Sequence, residues 1–163
     1  MPNKVKNRHR VLLASPDKKI IDNVLMLLSS HGYFVETAVS YDELADKMVN
    51  YKPSILIADV EVLPANPMIL SELFNMAKKR PVQLLIDRDE NAPIVREYLF
   101  SGVDDLLTIP FDASKLYRKV KRAAEYNRMQ HEIEYHSGML FILKMMIPII
   151  ITIVFILTSR GSL

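Results

Sequence analysis

Pro53-Ser54-Ile55-Leu56-Ile57-Ala58-Asp59 is the stretch on which the fold of this 163-residue chain turns. Four consecutive apolar residues, opened by a proline and closed by an aspartate, have neither the alternation of a half-exposed strand nor the length of a helix; they read as a strand buried on both faces. Upstream, Val11 to Ala14 is a second short apolar strand. Asp17 can cap a helix that turns Ile20, Ile21, Val24, Leu25, Leu27 and Leu28 toward a core and ends at His31-Gly32. Phe34 to Ala38 is a strand, and Ser40-Tyr41-Asp42-Glu43 is a capping box that opens a helix to about Tyr51.

Downstream the alternation continues. A Pro64-Ala65-Asn66-Pro67 loop precedes a helix from about Met68 to Lys79, and Val82 to Ile86 is the fourth strand. A fourth helix covers Ala92 to Ser101 with Gly102 at its end, Asp105 to Ile109 is the fifth strand, and Ser114 is the expected cap of a long fifth helix. Five strand-helix units predict an α/β fold: a flavodoxin-like five-stranded parallel sheet, order 2-1-3-4-5, with helices on both faces. In such sheets functional groups gather at the carboxyl ends of the first and third strands, here Ser15-Pro16-Asp17 and Asp59.

A different signal lies near the carboxyl terminus. Met139 to Thr158 is almost uninterrupted in apolar residues apart from Lys144 and Pro148. Twenty helical residues span about 30 Å, the thickness of a bilayer's hydrocarbon core, so a single transmembrane helix is expected there. Lys115, Arg118, Lys119, Lys121, Arg122 and Arg128 precede it and only Arg160 follows, which places the amino-terminal domain in the cytoplasm. Met1 to Arg10 is polar and basic and lacks the apolar run of a signal peptide, and with no cysteine disulfides and thiolate metal sites are excluded. The expected divisions are a basic arm at 1–10, a domain at 11–124, a helical juxtamembrane stretch at 125–138, the span at 139–158 and a tail at 159–163.

Charge is distributed to match. From Val11 to Asp112 sixteen acidic residues face nine basic ones, while the first ten residues and the stretch before the span are basic. Anionic headgroups account for the basic flank, making membrane lipid a partner; nothing resembling a nucleic-acid-binding motif accompanies it. Tyr126, Met129, Ile133, His136, Leu140, Leu143 and Ile147 follow a 3-4 spacing, so a homodimer seam is one reading and a juxtamembrane spacer the other. His131 and His136 are five apart and do not share a helix face as a metal pair would; His9 and His31 have no ligand pattern either.

Over roughly Arg10 to Ala124 the chain resembles the receiver domain of two-component response regulators, the CheY-like family. Three segments carry the resemblance: Pro53 to Asp59, Pro81-Val82-Gln83-Leu84-Leu85-Ile86, and Ser101-Gly102-Val103-Asp104-Asp105-Leu106-Leu107-Thr108-Ile109-Pro110-Phe111. The last is similar to the family's Ala-Gly-Ala-Asp-Asp-Tyr-Leu-Thr-Lys-Pro-Phe, and implies a cis bond at Ile109-Pro110. The resemblance makes Asp59 the counterpart of the phosphoacceptor. The two acidic residues that would hold Mg²⁺ are matched by Ser15 and Pro16, the hydroxyl residue of strand four by Ile86, the aromatic switch residue by Leu106, and the lysine that pairs with the acyl phosphate by Ile109.

These replacements remove both metal ligands and the cation on which electrostatic stabilisation of a phosphoryl group depends. The expectation is a degenerate receiver with a vestigial Asp59, no catalytic residues, no cofactor and no bound Mg²⁺. It would act as a membrane-anchored, phosphorylation-independent docking or scaffold protein for signalling or assembly partners at the cytoplasmic membrane face. The resemblance puts the docking face on the fourth helix, fifth strand and fifth helix, with Leu106, Leu107, Thr108, Tyr117 and Lys121 on it. Two alternatives stay open: an atypical phospho-accepting regulator with Asp17 and Asp87 as irregular metal ligands beside Asp59, and a structural subunit assembled through its span.

Overall fold

The computed structural model describes residues 9–77, 80–129, 144 and 146–148. By packing, the chain divides into two compact units, Met1–Asn127 and Arg128–Leu163. The first contains, in order, β1 (Arg10–Ala14), α1 (Lys18–Ser30), β2 (Phe34–Ala38), α2 (Tyr41–Tyr51), β3 (Ile55–Asp59), a 3₁₀ turn (Val60–Val62), α3 (Pro67–Ala77), β4 (Val82–Asp87), α4 (Pro93–Phe100) and β5 (Asp105–Thr108). A fifth helix, α5, is described over residues 113–129. The strands form one parallel sheet in the order β2-β1-β3-β4-β5, as the alternation predicts.

Strand periodicity divides the core into two apolar layers. Val11, Leu13, Ile55, Ile57, Leu84, Ile86 and Leu107 point to one face, where Val24 and Leu28 of α1 and Leu116 and Val120 of α5 cover them. Leu12, Ala14, Leu56, Ala58 and Leu85 point to the other, against Leu44 and Met48 of α2, Leu70, Leu73 and Phe74 of α3, and Tyr98 of α4. All five residues of β3 are buried, which is why its sequence lacks alternation.

The helix ends follow local chemistry. Asp17 caps α1 by accepting from the Lys19 N–H at 2.8 Å, and Ser40 caps α2 by accepting from Glu43 N–H at 3.3 Å while Glu43 Oε2 accepts from Val39 N–H at 2.9 Å. The cap of α5 is a correction: Asp112, not Ser114, occupies it, with Oδ1 accepting from Lys115 N–H and from the Ser114 hydroxyl, both at 2.6 Å. Those two donors, in that order from the hydroxyl, hold the Asp112 carboxyl below the usual carboxylate range. The Ile109-Pro110 bond is cis.

One helix end is strained. Lys52 follows α2 in the left-handed region at φ 50°, ψ 63°, where a β-carbon crowds the following carbonyl. Its side chain is exposed, so Lys52→Gly should gain about 0.5 kcal/mol, the strain relieved exceeding the entropy added to the unfolded chain. A shift of the urea midpoint to higher concentration at constant m-value would show this.

No described helix is long and apolar enough to cross a membrane. The expected span at 139–158 lies outside the described residues except for Lys144, Met146, Ile147 and Pro148, which are helical and exposed. The 3-4 pattern is described at Tyr126 and Met129, both about half exposed on α5, and at Ile147; its remaining positions, with His131, fall outside the described residues.

Candidate functional site

The parallel register sets β1, β3 and β4 side by side, with Ala14 opposite Ala58 and Asp59 opposite Ile86. The carboxyl ends of β1 and β3 therefore bring Ser15 against Asp59. Ser15 is fully buried; its hydroxyl donates to Asp59 Oδ2 at 3.1 Å and accepts from Asp17 N–H at 3.1 Å. The Asp59 carboxylate is 5% exposed, and its Oδ1 accepts from Glu61 N–H at 3.1 Å, which makes it the cap of the 3₁₀ turn. The resemblance matches Ser15 to a metal-binding carboxylate; in the fold it is a hydrogen-bond donor to the Asp59 carboxylate.

Burial pushes the Asp59 carboxyl above its ordinary value, opposed by the Glu61 N–H and the Ser15 hydroxyl that stabilise the charged form. Because the folded-state value lies above the unfolded one, this group favours folding fully at low pH and loses that contribution as pH rises through the folded-state value. Asp59→Asn cannot ionise. Its melting temperature should therefore gain on that of the unmodified protein as pH is raised from about 4 to 7, and parallel curves over this range would contradict the assignment.

The neighbouring positions are apolar. Ile86 is fully buried, and Ile109 packs with Phe111 on the layer that contains Ile86. Leu106 packs on the opposite layer beside Tyr98, whose hydroxyl donates to the Pro64 carbonyl. Pro16 is exposed. A hard divalent cation of the kind the resemblance implies wants several oxygen ligands. Asp59, Asp17 and Asp87 are not brought together to supply them: Asp17 Oδ1 accepts from Lys19 N–H and Asp87 Oδ1 from Asp89 N–H, each at 2.8 Å, and among the described residues no three His, Asp or Glu side chains form a metal-holding group. The donor set present does not fit the ion.

Two residues that the sequence reading passed over stand at the mouth. Arg88, directly after β4, places Nη1 2.9 Å from Glu61 Oε1 and Nη2 3.9 Å from Asp17 Oδ2. Its signal in the sequence is only a basic residue one place beyond a strand end, which has no meaning until Glu61 and Asp17 are known to lie opposite.

The expected docking face is partly rearranged by side-chain direction. Leu107 is fully buried in the layer under α1 and α5, so its side chain is not available to a partner. Tyr117 turns toward α1, its ring 4.1 Å from that of His31. Lys121 is exposed, and Leu106 and Thr108 are half-buried. The side of α5 that meets β5 presents Lys119, which pairs with Asp105, together with Arg122 and Tyr126. These line an open recess of about 460 Å³ over Val82, Leu84 and Ala123 with Asp104 and Asp105 at its edge.

No known family model matches the chain. Among curated proteins it is similar to the response regulator MprA of Mycobacterium sp. (strain KMS), 26% identical over 113 residues that cover 69% of this chain and 49% of that protein. The chain thus spans about half the length of the curated relatives it matches. Among solved structures it is similar to the signal receiver domain of a putative LuxO repressor protein from Vibrio parahaemolyticus, with a TM-score of 0.69 at 15% identity over 78% of this chain and 98% of that one. A CheY-like receiver domain protein from Methanospirillum hungatei JF-1 gives 0.67 at 20% identity over 76% and 99%. Together with the strand order, these likenesses show that the described domain has the CheY-like receiver fold.

Proposed function

We propose that this chain is a receiver-fold docking protein that takes no phosphoryl group and no Mg²⁺, held at the cytoplasmic membrane face by the apolar run from Met139 to Thr158. The observation that supports it best is the Ser15–Asp59 pair. The acceptor carboxylate is buried and hydrogen-bonded to the residue that stands where a metal-binding carboxylate would be needed. Ile109 offers no charge to a phosphorylated product, and a transferred phosphoryl group depends on such charges for most of its stabilisation. Function then rests on surface: the exposed part of α4, the half-buried Leu106 and Thr108 of β5, and the recess edged by Lys119, Arg122 and Tyr126.

Incubation of the full chain with radiolabelled acetyl phosphate and Mg²⁺ tests this reading. The expected result is no label above that of Asp59→Ala. Stoichiometric label that disappears in Asp59→Ala would establish the phospho-accepting alternative. One observation favours that alternative: Asp59 keeps the acceptor's place at the end of β3, with the Arg88 cation at the mouth.

A further inference from the structure

Three loops converge at the carboxyl edge of the sheet, and each brings charge of its own. Asp17 comes from the loop after β1, Asp59 and Glu61 from the end of β3 and its 3₁₀ turn, and Arg88 from the end of β4. A metal ion in such a place would tie the first two loops together through their carboxylates. Here the guanidinium does so, one terminal nitrogen facing Glu61 at 2.9 Å and the other facing Asp17 at 3.9 Å. Asp59 caps the turn that carries Glu61 and is bonded to the Ser15 that supports Asp17 N–H.

We propose that Arg88 is the resident counter-cation of this acidic mouth, serving where the resemblance would put a divalent metal ion. A planar fork of fixed donors suits two carboxylates on different loops and needs no set of six or more oxygens. It is tethered to β4, so unlike a metal ion it cannot be withdrawn by a chelator or diluted away. The mouth would then have one fixed positive charge set against Asp17, Asp59 and Glu61 at all divalent concentrations, placed between the loops that follow β1, β3 and β4. This inference rests on the reading that the domain takes no phosphoryl group, and it names what replaced the metal in that reading.

The test is Mn²⁺-induced broadening of backbone amide signals in the isotope-labelled full chain in detergent. In the unmodified protein, Asp17, Asp59 and Glu61 should broaden no more than the exposed Asp22 on α1. In Arg88→Gln, with the local cation removed, broadening at those three should rise roughly threefold over Asp22 as Mn²⁺ gathers at the uncompensated carboxylates. Arg88→Lys, which keeps the charge, should resemble the unmodified protein, and adding Glu61→Gln to Arg88→Gln should remove the gain. Should Arg88→Gln fold poorly, Arg88→Met supplies the same comparison. Equal broadening with and without Arg88, or strong selective broadening in the unmodified protein, overturns the proposal. Label from acetyl phosphate would instead overturn the docking function, so the two failures read out in separate assays.

Discussion

Ile57→Ala should cost about 3 kcal/mol of folding stability, with a range of roughly 2–5 for removing three carbons from a packed aliphatic site. Ile57 is the third residue of the central strand and fully buried. It is paired in register with Leu13 on one side and Leu84 on the other, in the layer closed by α1 and α5. A void here has no solvent path to fill it and no loop to collapse into it, because both flanking strands are themselves buried. Urea melts of the full chain in mild detergent would measure the loss, and Ile57→Val, which removes one carbon, should lose only about 1 kcal/mol. A cost below that of Ile57→Val would mean that β3 is not the centre of the core.

Deleting residues 139–158 should move the protein from the membrane fraction to the soluble one. That segment carries thirteen Leu, Ile, Phe and Val residues. On an insertion scale these contribute roughly −4 to −8 kcal/mol together, against a penalty for Lys144 that is reduced for a lysine close in sequence to the end of an apolar run. Flotation of the full chain with vesicles against the deleted form is the measurement. Receiver-domain folding should persist in the deleted form, since both apolar layers are built from residues before 125. Co-sedimentation of the deleted form with vesicles would move the attachment to the basic flank between Lys115 and Arg128.

The sheet was legible because buried parallel strands write themselves as short apolar runs, and five of them separated by capped amphipathic helices leave few topologies. The capping residues Asp17 and Ser40 were legible for the same local reason, an oxygen one to three residues ahead of its donor. Asp112 and Ser114 are both good caps two residues apart, and only the hydrogen bonds that Asp112 accepts decide between them. The residue types at Ser15, Pro16, Ile86 and Ile109 are read from the sequence by position. Their partners could not be read, since Ser15 with Asp59 and Arg88 with Glu61 are pairs separated by 44 and 27 residues that meet only in the fold. Leu107 could not be told from its neighbours in the sequence because a segment was carried over whole, whereas in the fold it is the one residue of β5 that is fully buried.

Ser54 lies at the amino end of β3, and its carbonyl oxygen accepts from Val82 N–H at 3.1 Å and from the buried Asn127 side chain at 3.3 Å, while its own N–H donates to the Arg10 carbonyl at 2.9 Å. The last turn of α5 is thereby stitched to the start of three adjacent strands. This junction lies at the end of β3 opposite Asp59. The five residues of β3 separate the two points by about 16 Å. The tie between α5 and the strand starts therefore shares no residue with the Ser15–Asp59 pair, so a change at Asn127 leaves every hydrogen bond of that pair in place.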